Sequence, residues 1–235
     1  MLDSKYQRFY DEIVKKIKKE KIFTDKLHTL AYGTDASFYR LIPKIVIKTD
    51  NAKEVQDIIE LSNSLNLSIT FRAGGTSLSG QAISDSILVI TSRNFSNFKI
   101  APDASYISLQ PALTGAQVNG LLARYSKKIG PDPASINAAM IGGIAANNAS
   151  GMCCGISQNS YKTLKSMKLI FADGAKLDTG CSESKDAFRK SHGDFLNDLK
   201  SFSQDTKNNE PLRAKIERKF KIKNTCGYSL NALID

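Results

Sequence analysis

The stretch with the clearest chemical content is Arg72-Ala73-Gly74-Gly75-Thr76-Ser77-Leu78-Ser79-Gly80-Gln81. Its glycines let the backbone turn sharply and let another group approach closely. Successive N–H groups in such a turn form a concave nest for an anion. Thr76, Ser77 and Ser79 add hydroxyls, and Arg72 puts positive charge at the entrance. The pattern predicts a phosphate cradle, although on this stretch alone a purely structural glycine turn explains it equally well. Gly75 and Gly80 carry the spacing of a P-loop, but Gln81 and Ala82 stand where Lys and Ser/Thr would follow. Without that lysine, nothing meets the terminal phosphates, and an NTPase is excluded.

A second stretch, Met140-Ile141-Gly142-Gly143-Ile144-Ala145-Ala146-Asn147-Asn148-Ala149-Ser150-Gly151, has bulky side chains only at Met140, Ile141 and Ile144. It is not a Rossmann fingerprint, because no GxGxxG joins a strand to a helix. A small-residue helix contact would account for it by itself. Together, one loop-like and one helix-like small-residue segment suit a long cofactor with a pyrophosphate in its middle. No metal site is expected: the cysteines form no CxxC pair, and neither His28 nor His192 neighbours one. Cys153 and Cys154 read as small buried thiols rather than a redox pair.

The elements that must hold these stretches follow from periodicity. Phe9, Ile13, Val14 and Ile17 predict a helix over residues 3–21. Ile45–Ile47 predicts a strand. Asn51 with Glu54 marks a helix start, with Val55, Ile58, Ile59 and Ser62 on one face. Strands at Ser68–Arg72 and Ile87–Thr91 flank the glycine loop. Further on, Tyr106–Gln110 reads as a strand and Thr114–Tyr125 as a helix. Gly130-Pro131-Asp132-Pro133 is a rigid turn, and Asp173-Gly174 predicts a two-residue hairpin turn. Residues 184–222 are expected to be mostly helical. The arrangement predicts an α+β fold in three parts: a helical segment over 1–30, a first lobe over 31–100 and a second, incomplete lobe over 101–235.

The motifs Arg72–Gln81, Pro131-Asp132-Pro133, Ile141-Gly142-Gly143, Asn148-Ala149-Ser150-Gly151 and Phe171-Ala172-Asp173-Gly174 occur in that order. In that order they resemble the two-lobed FAD-binding domain of the vanillyl-alcohol-oxidase type, also called PCMH-type. The likeness is greatest to the D-lactate and D-2-hydroxyglutarate dehydrogenase branch, in its long bacterial form with a C-terminal iron–sulfur segment. The resemblance implies that Arg72, Ala73, Gly74, Gly75, Thr76, Ser77, Gly80 and Gln81 surround the FAD pyrophosphate. It implies that Pro131, Asp132, Ile141, Gly142, Gly143, Asn148, Ala149 and Gly151 lie along the cofactor. Ser150 replaces a glycine usual in the family. Asn224-Thr225-Cys226-Gly227-Tyr228 and Tyr32-Gly33-Thr34-Asp35 also match the family, without a role that the residues themselves reveal. The domain is expected to stop before its last strands, with substrate groups, catalytic residues and any iron–sulfur cluster outside residues 1–235. The implied parent activity is oxidation of a D-2-hydroxy acid to the 2-oxo acid, with electrons passing to a quinone or an iron–sulfur relay. An enolpyruvyl-sugar reductase is the enzymatic alternative, and an anion- or nucleic-acid-binding module the non-enzymatic one.

Of the 235 residues, 33 are Lys or Arg and 23 Asp or Glu, for a net charge of +10. The excess gathers at the ends, at Lys15–Lys21 and Arg213–Lys223, and not around the glycine stretches. It reads as solvated helix faces, so nucleic acid is not an expected partner. No apolar run reaches the ~18 residues of a membrane span. The expected location is the cytoplasm, with a peripheral contact on the inner face of the plasma membrane as a further expectation of the basic surface.

Overall fold

In the computed structural model, which describes residues 2–151, 155–222 and 229–235, the N-terminal periodicity yields a shorter helix than expected. Helix α1 covers Ser4–Ile13, capped by the Asp3 side chain. Beyond Ile13 the bonds tighten to three-residue turns, Lys15 N–H to the Glu12 carbonyl and Lys16 N–H to that of Ile13. Lys15, Lys16, Lys18 and Lys19 would stack like charges at helical neighbours, which opposes continuation. The chain instead swings Ile17 and Ile22 into the core that Phe9 and Ile13 enter from the helix.

Two compact units are present. One comprises Met1–Ser126, Ser135–Gly143 and Ala172–Gly174; the other comprises Lys127–Ala134, Ile144–Phe171 and Ala175–Asp235. The first is built on a sheet in the order β1-β2-β4-β3. Its strands are β1 (Ile22–Phe23), β2 (Ile45–Thr49), β3 (Ile69–Arg72) and β4 (Ile87–Thr91). β1 runs antiparallel to β2, whereas β2 and β3 both run parallel to the central β4. Helix α2 (Lys26–Ala31) precedes β2, and α3 (Ala52–Ser64) links β2 to β3. As expected, Asn51 caps α3 by accepting the Glu54 N–H at 3.0 Å.

Period-two alternation sends Ile45, Ile47, Ile87 and Val89 to one face, where they meet Phe9, Ile13, Ile17 and Ile58. Val46, Leu88 and Ile90 enter the other face with Phe23 and Tyr32. Each fully buried side chain of this kind contributes roughly 1.5–3 kcal/mol. Ion pairs tie the N-terminal segment to α3. Lys16 and Lys53 both reach the Asp57 carboxylate, at 3.0 and 2.9 Å. Lys21 bridges Asp50 and Glu54 at 2.5 and 2.6 Å.

Still in the first unit, β5 (Phe98–Ile100) pairs antiparallel with β6 (Ile107–Leu109). The alternation of Phe98-Lys99-Ile100 was the available sign of β5, a strand the sequence pattern did not otherwise announce. Helix α4 (Gly115–Ala123) follows, with a capping box between Thr114 and Gln117. The unit boundary falls inside the short helix α5 (Ile141–Ala146). The second unit holds α6 (Ser160–Thr163), the hairpin β7 (Lys168–Ile170) and β8 (Lys176–Asp178), and helices α7 (Ser182–Ser191), α8 (Gly193–Asn208) and α9 (Glu210–Phe220). The hairpin turn has three residues rather than two: Phe171 N–H bonds the Ala175 carbonyl at 2.8 Å, and Gly174 closes the turn at φ +87°. A left-handed glycine ending a three-residue loop keeps the strand twist continuous. Phe171, Phe188 and Phe195 cluster in this unit, with ring centroids 4.8 and 6.1 Å from Phe171.

Candidate functional site

The glycine loop leaves the C-terminal end of β3, where the parallel strands open. Two of its glycines need left-handed backbone, Gly75 at φ +66° and Gly80 at φ +75°. A side chain is strained at either place. Gly74 serves another need: a Cβ there would collide with the Ala138 carbonyl. Ser77 holds the turn from inside, donating to the Gln81 side chain and accepting the Ser79 N–H at 3.2 Å. Among the described residues, the N–H groups of Gly74, Gly75, Thr76, Ser77 and Leu78 have no protein acceptor. Five successive donors on a turned backbone are what an anion nest requires.

The start of the second small-residue stretch comes to this loop within the first unit. Ile141 N–H bonds the Leu113 carbonyl at 2.8 Å and Gly142 N–H that of Pro111 at 3.0 Å. Gly142 lies so close to Pro111 that a Cβ would sit 2.7 Å from the proline ring. One on Gly143 would lie 3.3 Å from the Ala73 methyl. Ala73–Ser77 and Ile141–Gly143 therefore share one backbone-walled region.

Arg72 is turned inward along the protein. Its guanidinium donates to the Thr34 carbonyl at 2.7 Å and lies 5.7 Å from the Tyr32 ring. Burial lowers its pKa, opposed by the charge of Asp35, and it remains cationic at neutral pH.

Pro131, Asp132, Asn148, Ala149 and Gly151 form a separate group in the second unit. Gly151 abuts Asp132 so tightly that a Cβ would overlap its carboxylate and its carbonyl. The Asp132 Oδ1 atom is buried and, among the described residues, has no hydrogen-bond donor. Asn148, at φ +44°, accepts the Tyr161 N–H at 2.9 Å and donates to Ser229. The Ala149 carbonyl receives the Ser160 N–H and hydroxyl, each at 2.9 Å. Cys153, Cys154, Cys226 and the Asn224-Thr225-Cys226-Gly227-Tyr228 motif lie outside the described residues. No group of three or more His, Cys, Asp or Glu suited to a metal occurs among the described residues. Nor is any described helix long and apolar enough to cross a membrane.

The mixed helix-and-strand architecture is the PCMH-type FAD-binding fold. It is similar to the structure of 4-ethylphenol oxidase from Gulosibacter chungangensis, with a TM-score of 0.65 at 16% identity over 78% of this chain and 38% of that one. Residues 43–180 match the FAD binding domain model, and the chain belongs to that family. It is 26% identical over 172 residues to D-2-hydroxyglutarate dehydrogenase of Haemophilus influenzae, covering 70% of this chain and 16% of that protein. It is 26% identical over 141 residues to D-lactate dehydrogenase of Archaeoglobus fulgidus, covering 58% and 31%. The matched parts are thus less than a third of either relative's length. The cofactor of the fold is FAD. The chain's residues fit it: five free loop donors suit a diphosphate, and the glycines leave room that side chains would fill.

Proposed function

We propose that the glycine loop holds the FAD pyrophosphate and that the chain is the cofactor-binding part of a dehydrogenase acting on a D-2-hydroxy acid. The observation that carries the first part is the row of unpartnered N–H groups from Gly74 to Leu78. Ala73, Gly74, Gly75, Thr76, Ser77, Gly80 and Gln81 form the diphosphate wall, and Ile141, Gly142 and Gly143 the surface facing it. Arg72 acts from beneath, its positive charge lowering the cost of holding a dianion near the loop. In the second unit, Pro131, Asp132, Asn148, Ala149 and Gly151 are assigned to the cofactor on the resemblance, with the donor-free Asp132 Oδ1 as their physical support. A buried acceptor of this kind favours an arriving hydroxyl or N–H.

The substrate class rests on the names of the relatives, D-2-hydroxyglutarate and D-lactate dehydrogenase. Bound FAD supplies the hydride acceptor that oxidation of a 2-hydroxy acid to its 2-oxo acid needs. The residues of this chain bind and orient; substrate groups, the base and the electron acceptor belong to the proposal about the whole enzyme. A peripheral membrane contact through the basic ends is part of the same proposal.

Thermal melting with and without FAD tests the cofactor site. A ligand at 100 times its Kd that binds only the folded state adds about 2.7 kcal/mol, so the midpoint should rise, with flavin absorbance retained after desalting. A midpoint unmoved by saturating FAD overturns the proposal. D-Lactate and D-2-hydroxyglutarate, tested with the full-length enzyme and an artificial acceptor, address the substrate class; turnover of neither removes it.

A further inference from the structure

The segment Tyr32–Tyr39 touches the glycine loop at its start, middle and end. At the start, Arg72 donates to the Thr34 carbonyl at 2.7 Å, and the Tyr32 ring faces two cations, its centroid 5.7 Å from the Arg72 guanidinium carbon and 5.7 Å from Lys48 Nζ. Lys48 and Arg72 share a register row, both paired to Ile90 on β4. In the middle, Ala36 N–H bonds the Gly75 carbonyl at 3.0 Å. At the end, Ala82 N–H donates to Asp35 Oδ2 at 3.3 Å, and the Tyr39 ring packs where Gly80 has no side chain. The other Asp35 oxygen accepts Ser37 N–H at 2.8 Å. The segment is itself closed by a bridge between Thr34 and Arg40 and by Leu41 N–H on the Gly33 carbonyl at 3.0 Å.

We infer that residues 32–39 are a clasp that sets the shape of the glycine loop, and that Asp35 is its positioning residue. It binds no cofactor atom; it fixes where the loop's free N–H groups point. Its effect on FAD rests on the pyrophosphate reading above. The chemistry explains why an aspartate stands there. Two N–H donors from two different segments, Ser37 and Ala82, converge on one side chain, and only a carboxylate offers each of them its own acceptor oxygen. Asparagine would turn its NH2 towards one of them. Burial alone would raise the Asp35 pKa, but the Ser37 hydroxyl and N–H, the Ala82 N–H and the Arg72 charge together hold it below its ordinary value.

Two measurements on Asp35→Asn and Asp35→Ala test the clasp. The first is amide exchange in the cofactor-free protein. It should quicken by about tenfold at residues 35–37 and 79–83 on loss of a charge-assisted bond, while the β4 amides stay protected. The second is FAD titration by flavin fluorescence, where affinity should fall in the order wild type, Asn, Ala, by about tenfold at the last step. Wild-type loop exchange in both variants overturns the inference. So does faster exchange spread evenly through β4, which would make Asp35 a general stability residue. Quickened loop exchange in a protein whose wild type binds no FAD upholds the clasp and removes the cofactor reading instead.

Discussion

In the 72–82 loop, glycine is used for backbone conformation, at Gly75 and Gly80, and the donors from Gly74 to Leu78 stay free. In the 148–151 segment, glycine is used for room. Gly151 has no positive φ, and its value is the missing Cβ against Asp132. The polar groups there are largely consumed at home, by Ser160, Tyr161 and Ser229. Two stretches of similar composition thus differ in what they leave available. The loop exposes a binding surface, whereas the segment spends its hydrogen bonds on its own packing. Substitution should therefore read out as lost affinity in the first and as lost stability in the second.

Gly75→Val should cost the most. A β-branched residue at φ +66° is strained, and its Cβ would lie 2.6–2.8 Å from the Arg72 guanidinium. Isothermal titration should show FAD affinity lowered by about 100-fold, ~2.7 kcal/mol, with the core sheet intact by circular dichroism. Next is Gly151→Ala. Its methyl meets a backbone carbonyl that cannot rotate away, so urea unfolding should show a loss of about 1–3 kcal/mol. An undiminished stability with weakened FAD binding would erase the distinction between the two stretches.

How far the sequence reveals this depends on what each interaction is made of. Short continuous apolar runs revealed β2 and β4, and Asn51 with Glu54 revealed the start of α3, because burial and capping are local patterns. The loop's glycines were legible for the same reason. The premature end of α1 was not, because it depends on Ile17 and Ile22 finding a core made by residues 45–89. The inward turn of Arg72 was equally hidden, since its acceptor, the Thr34 carbonyl, is a backbone atom 38 residues away. Asp35 left only the trace of an Asp-x-Ser turn; its second partner, Ala82, is 47 residues distant. The hairpin at Asp173-Gly174 was visible in kind, but its third residue depended on register.

A smaller effect concerns the stability of the first unit. Burial would raise the Asp57 pKa, but Lys53 and Lys16 hold it below the ordinary carboxylate value. A carboxyl with a depressed folded pKa stabilises above its unfolded pKa, about 3.9, and that contribution fades as pH falls through the folded value. Asp57→Asn should therefore lower the melting midpoint at neutral pH, and the gap to wild type should close on acidification below about pH 4. A gap that persisted in acid would mean that Asp57 acts through shape rather than charge.

The basic N-terminal run is a third region to set beside these two, and substitution there should matter least. Lys18 is exposed in the basic N-terminal run, far in sequence from the loop and outside the ion pairs that Lys16 and Lys21 make. If affinity for the dianionic cofactor came from the net charge of +10, removing any surface lysine would weaken it, and binding would fall steeply with salt. If it comes from oriented backbone donors, a single exposed charge screened by 0.1 M salt contributes little. Lys18→Ala should leave FAD affinity within about twofold of wild type, less than ~0.5 kcal/mol. A loss matching that of Gly75→Val would relocate the binding energy from the loop to the charged surface.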